Sequence, residues 1–170
     1  VSWSRGLGDV YKRQPWYCPY EPHMYPPHEA NPLDGAQTGN AMRGSVTWNG
    51  HGYDGQTEGG KRFSIYDQDS PSPMEMVLHA HATCSLIDVI GGLKDRRGNL
   101  REARVEIDSS RASESPRVFK KIHFVYVVRG DVPEALVDRI IHQSHEKLCS
   151  VGIMLTRGGV DLTWELDFKA

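Results

Sequence analysis

The stretch SPMEMVLHAHATCSLIDVI, Ser72 to Ile90, decides how the rest of the chain is read. Ser72 suits an N-cap and Pro73 the first helical position, where its missing N–H costs nothing. Glu75 falls at the third position and completes a capping box. Val77, Ala80, Cys84, Ile87 and Gly91 share one stripe at 3.6-residue spacing, and Met74, Leu78, Leu86, Ile90 and Leu93 make much of the remainder apolar. Such a helix is expected inside the protein, covered on most sides. KDRRGN, Lys94–Asn99, reads as its end, with cations at the last turn and then Gly98.

Upstream, RGSVTW, YDGQT and KRFSIYD are short β-type runs separated by glycine-bearing turns, which predicts a meander of three antiparallel strands. DQDSPS closes it. Downstream, LREARVEI and VFKKIHFVYVV read as two strands, with SSRASES turning between them. Asp131 is expected to cap the next helix, with Pro133 inside its first turn. Val137, Ile140, Ile141, Ser144 and Leu148 form the buried face of that helix, and Cys149 falls at its end or at a break within it. VDLTWELDF is a further strand. The order is βββ–α–ββ–α–β, two central helices against antiparallel sheet, which is an α+β class.

A chain of 170 residues, 38% hydrophobic and 25% charged, supports one domain with a core. A formal net charge of −2 gives no electrostatic case for nucleic acid or an anionic membrane. No apolar run approaches the roughly 20 residues of a membrane span, and no signal-peptide pattern is visible. Three cysteines are too few to staple a secreted domain, so a reduced, cytoplasmic setting is expected.

The first 41 residues read differently from the rest. GLGDVYKRQ resembles the translation of a sequencing-library adapter, so residues 1–14 are taken as an assembly scar outside the fold. Residues 15–41 are a proline-rich leader whose composition opposes regular structure. Its Cys18, His23 and His28 have a metal-like spacing but no supporting elements. Met42 is a natural start for the domain, 42–170.

The cysteine segments then carry a resemblance. SPMEMVLHAHATCSLIDVI resembles the first-cysteine helix of the OsmC/Ohr family, the osmotically inducible and organic-hydroperoxide-resistance proteins, and SHEKLCSVGIML resembles its second-cysteine segment. PRVFKKIHFVYVV and the TWEL strand are similar to it as well. The resemblance implies an intertwined homodimer with active sites at the subunit interface. It implies that Cys84 is peroxidatic and Cys149 resolving, with a sulfenic acid and then a disulfide as intermediates. It implies an organic hydroperoxide as substrate and a thiol or dithiol as reductant, with no cofactor.

Two features depart from the family's pattern. The family's glutamate follows a proline in an N-P-E triplet, whereas here Ser72-Pro73-Met74 stands there and Glu75 comes one residue later, about 100° around the helix. Glu75 is therefore a candidate site residue that its capping role alone also explains. The family's activating arginine lies on an early strand, where Arg62 and Arg43 are the candidates. The departures place the chain nearer the OsmC-like branch than the best-studied peroxidases, and they leave a binding or stress-associated protein without peroxidase turnover as the alternative.

Bland readings compete for the remaining residues. A cysteine on an apolar helix is usually core, and Cys84 gains its functional case only from Cys149. His79 and His81 diverge to different faces. His142, His145 and Cys149 have a spacing compatible with a metal, but no second ligand cluster accompanies them. His145 is alternatively a neighbour that tunes Cys149. Lys120 and Lys121 read as an edge or solvent-face decoration.

Overall fold

The computed structural model describes residues 42–170, so residues 1–41, with Cys18 and both N-terminal segments, lie outside the described residues. A compact unit runs from Gly44 to Ala170, and Arg43 belongs to the segment before it. Strands β1 (Gly44–Trp48), β2 (Tyr53–Thr57) and β3 (Arg62–Ile65) form an antiparallel meander in the order β1-β2-β3. Almost every residue in it is exposed, Val46, Trp48 and Phe63 among them. A sheet with apolar side chains and so little cover gains little from burial within its own chain.

Helix α1 (Pro73–Gly92) starts as expected: the Ser72 hydroxyl accepts from the Glu75 N–H, and the Glu75 carboxylate accepts from the Ser72 N–H at 2.8 Å. Its last turn holds no basic residue, contrary to expectation; Lys94, Arg96 and Arg97 lie in the 3-10 turn Lys94–Asn99 beyond it. The helix is also not covered on most sides as expected. His81, Ala82, Ser85 and Val89 face inward, whereas Ala80, Ile87 and Gly91 are exposed, Ile87 at 64%.

Strands β4 (Leu100–Arg111) and β5 (Phe119–Gly130) pair antiparallel. β6 (Asp161–Lys169) pairs with β5 in parallel, so the sheet β4-β5-β6 is mixed rather than antiparallel. The physical reason is the connection: α2 (Glu134–Gln143), a π turn (Ser144–Leu148) and α3 (Ser150–Arg157) carry the chain back to the start of β5 before β6 begins. Since β5 is central, Lys120 and Lys121 are not edge residues; both are exposed, and Lys121 reaches Asp161 at 3.8 Å.

The core lies between this sheet and the helices. Phe124, Tyr126 and Val128 of β5 meet Val89 of α1 and Val137 and Ile141 of α2. A Cβ at Gly92 would come within 2.8 Å of the Ile140 side chain, so this glycine lets α1 and α2 pack closely. Asp131 does not cap α2. Pro133 occupies the N-cap with extended backbone and no side-chain cap bond. Leu148 is 54% exposed instead of buried, because the π turn rotates it away from the face that carries Val137, Ile141 and Ser144.

Candidate functional site

Helix α1 and the π turn bring Cys84 and Cys149 together. Cys149 is fully buried and Cys84 partly so, both are unbridged, and the two thiols are near enough for Cys84 to raise the pKa of Cys149. The break after the π turn makes Cys149 the N-cap of α3. Its sulfur accepts from the Gly152 N–H at 3.3 Å and points its thiol at the His81 carbonyl, 3.9 Å away. Burial pushes the Cys149 thiol up to about 12. The Gly152 N–H opposes that shift, while the Cys84 sulfur and then the Asp88 charge add to it.

Beside the thiols runs a buried line of hydroxyls. Ser144 lies 2.7 Å from Asp88 Oδ2 and 2.9 Å from Ser85 Oγ; Ser85 lies 2.5 Å from the Tyr126 hydroxyl, which lies 2.9 Å from His145 Nε2. Counting protons orients the line. A carboxylate only accepts, so the single Ser144 proton goes to Asp88, and Ser144 then accepts from Ser85. The Ser85 proton is thereby used, so Tyr126 donates to Ser85 and accepts from His145 Nε2–H. His145 is held as the Nε2–H tautomer, with a bare Nδ1.

His145 stacks on Trp164 of β6, with ring centroids 4.2 Å apart and planes at 20°, and it meets His81 edge-on at 5.8 Å. His81 is completely buried, and neither of its ring nitrogens has a hydrogen-bond partner; nor has His145 Nδ1. Burial lowers the pKa of both rings to about 4, with the charges of His81 and His142 adding a smaller push on His145. Desolvation raises Tyr126 as well. The seam therefore penalises any charged form.

The other expected residues go elsewhere. Glu75 serves the capping box, and Ser72 holds its carboxyl below the usual range. Arg62 lies exposed on the meander, beside Ser45, Thr47 and Asp54. His79 is exposed and bonded to the Glu75 carbonyl, so it does diverge from His81. His142 is exposed against Trp164, away from the buried side where His145 and Cys149 sit. Among the described residues, no group of three His, Cys, Asp or Glu side chains is placed to hold a metal ion. The sequence reading missed Ser85, Asp88 and Tyr126. The signal was the i, i+4, i+7 spacing of His81, Ser85 and Asp88 along one face of an otherwise apolar helix.

On the opposite side of α1, Leu86, Ile87 and Ile90 face Ala103, Val105 and Ile107 of β4 across an open groove of about 600 Å³. Its lining is mostly apolar, with His79, Arg97 and Arg104 at its rim.

Residues 66–165 match the family described as OsmC-like protein. The chain belongs to the OsmC-like family. Protein YhfA of Escherichia coli K12 is 40% identical to it over 102 residues, covering 59% of this chain and 75% of YhfA. The OsmC-like fold agrees with solved structures. An OsmC-like protein from Mycoplasma pneumoniae superposes with a TM-score of 0.66 at 10% identity, covering 78% of this chain and 99% of the other. An organic hydroperoxide resistance protein OsmC from Legionella pneumophila gives 0.57 at 13% identity, covering 77% and 99%. Among the described residues of this OsmC-like chain, no helix is long and apolar enough to cross a membrane.

Proposed function

We propose that the protein is a cysteine-based thiol peroxidase acting on organic hydroperoxides in oxidative stress defence. The observation that carries this reading is the meeting of Cys84 and Cys149, supplied by separate elements, in one seam. The Cys84 thiolate attacks the distal peroxide oxygen, an alcohol leaves, and Cys84 becomes a sulfenic acid. Cys149 displaces the hydroxyl to form the disulfide, and an external thiol or dithiol restores both cysteines. Cys84, the more exposed of the two, takes the encounter with substrate, and Cys149, sealed in, has Cys84 as its neighbour.

The reading includes an intertwined cytoplasmic homodimer. The exposed meander and the open apolar groove beside α1 support the dimer, since each leaves apolar surface for a second chain to cover. Arg62, with Arg43 as the other candidate, supplies the cation for the Cys84 thiolate across that interface. Glu75 sits at the mouth of α1, where its charge orients that arginine.

The test is a rapid-mixing oxidation of the reduced full chain by sub-stoichiometric cumene hydroperoxide, with H2O2 for comparison. Loss of two thiols per subunit and a Cys84–Cys149 disulfide by mass, faster with the organic peroxide, is the expected result. Cys84→Ser abolishes consumption, and Cys149→Ser accumulates a sulfenic acid that dimedone traps. Equal turnover in both variants and the wild type would overturn the assignment.

Met74 at the family's carboxylate position and the raised Cys149 thiol favour a second reading, a ligand-binding protein on the same fold whose cysteines do not cycle. Slow oxidation without preference between the two peroxides would establish it.

A further inference from the structure

Disulfide formation needs a proton to leave Cys149, and this thiol sits where water does not reach. Its sulfur contacts only protein: the Gly152 N–H, the His81 carbonyl and Cys84 are its polar neighbours. None of these is a base. A basic group, the His81 ring, lies across Gly152 from the thiol. A Cβ placed on Gly152 would lie 2.6 Å from His81 Nε2 and 3.4 Å from Cys149 Sγ, so ring and thiol flank the same glycine from two sides. A larger residue at 152 would occupy the space between them.

The two buried histidines are not equivalent. The hydroxyl line from Asp88 locks His145 in one tautomer. Both His81 nitrogens are unpartnered, so no neighbour fixes which one carries the proton. A fully buried imidazole without partners destabilises the fold relative to one that is hydrogen-bonded. A leucine or methionine there would carry no such cost.

We propose that His81 relays the Cys149 proton during disulfide formation, taking it on one ring nitrogen as the sulfur attacks Cys84 and returning a proton to the departing hydroxide. The inference rests on the peroxidase reading. As the step runs, the S–H bond of Cys149 and the S–O bond of the Cys84 sulfenic acid break, the S–S bond forms, and water leaves. The Cys149 sulfur is oxidised and the Cys84 sulfur reduced, so no other oxidant is needed. A relay through both nitrogens leaves no net charge behind, which suits a seam that disfavours ions. The titratable groups that face the His81 ring are His145, edge-on at 5.8 Å, and Cys149 across Gly152.

The experiment is a single turnover of the full-length protein with one equivalent of cumene hydroperoxide. Peroxide loss and disulfide formation are followed as separate phases, and dimedone labels the sulfenic acid. In His81→Gln, disulfide formation is expected to slow at least about tenfold relative to peroxide consumption in the same variant. The wild-type phase stays flat from about pH 5.5 to 8, because burial keeps His81 neutral there. In the variant that phase rises about tenfold per pH unit, since the thiolate then forms only when the seam opens transiently to solvent hydroxide. Gly152→Ala displaces the ring without removing it and should give the same slowing, so a folding failure of the first variant leaves the second decisive. An unchanged ratio of phases, or slowing with a flat pH profile, overturns the relay. A wild-type protein that consumes no peroxide overturns the peroxidase reading instead, and the relay with it.

Discussion

The two sides of α1 differ in kind. The side turned into the chain carries His81, Ser85 and Asp88 and joins a buried polar line; the side turned out carries Leu86, Ile87 and Ile90 beside an open groove. Polar groups inside are stable only because most of them are bonded to one another. Apolar groups outside have no such compensation within one chain. The contrast teaches that this helix meets two surroundings, one supplied by its own chain and one that the proposed dimer would supply.

The largest test breaks the outer side. Ile87→Glu puts a charge into the groove, and the dimer is expected to dissociate more readily by over about 100-fold in Kd, roughly 3 kcal/mol. Sedimentation velocity across a concentration series reads it. An unaltered distribution would mean that the groove is open in the native protein.

The inner side is tested next by Tyr126→Phe, which leaves Ser85 and His145 Nε2 without the hydroxyl that joins them. About 2 kcal/mol of stability should be lost in urea unfolding, with the dimer unaffected. A loss below a few tenths would show that the line contributes no net stability.

Acid separates the sides by sign. Both buried rings have pKa values lowered from 6.5 to about 4, so the unfolded chain takes up protons first as pH falls. The stability they confer is complete above the unfolded value and is lost as pH drops toward the folded one. On the order of 2 kcal/mol should disappear between about pH 6.5 and 4.5. The carboxyls with lowered values, Asp67, Glu75 and Asp167, titrate in the unfolded chain at 3.8 to 4.5 and so act below that window. A urea midpoint independent of pH in the window would contradict neutral burial of both rings. His81→Gln should flatten the profile by about half.

The smallest effect belongs to neither side. Glu75→Ala removes half of the capping box at the end of α1 and should cost about 1 kcal/mol or less. A much larger loss of peroxide turnover, with stability nearly intact, would give Glu75 the orienting role proposed for it.

The elements were legible because their signals are local. Ser72, Pro73 and Glu75 mark the start of α1, and the alternation in β4, β5 and β6 marks strands. Direction and facing were not legible. VDLTWELDF alternates in the same way whether its neighbour runs parallel or antiparallel, and only the crossover through α2 and α3 settles it. Near-continuous hydrophobicity pointed to a helix covered on most sides, yet Ala80, Ile87 and Gly91 are exposed while His81 and Ser85 are buried, and hydrophobicity alone does not separate the two faces. The thiol pair was legible through two sequence segments. His81 was not, since a histidine among alanines carries no mark of what surrounds it.

The parallel seat of β6 has a consequence for synthesis on the ribosome. β4 and β5 can zip together as soon as both have emerged, whereas β6 has no place until α2 and α3 have folded back over the sheet. Trp164, which roofs His145, therefore arrives last. Until it does, Cys84, Cys149, His81 and His145 stand under an unfinished roof, and either thiol is open to any oxidant that reaches it.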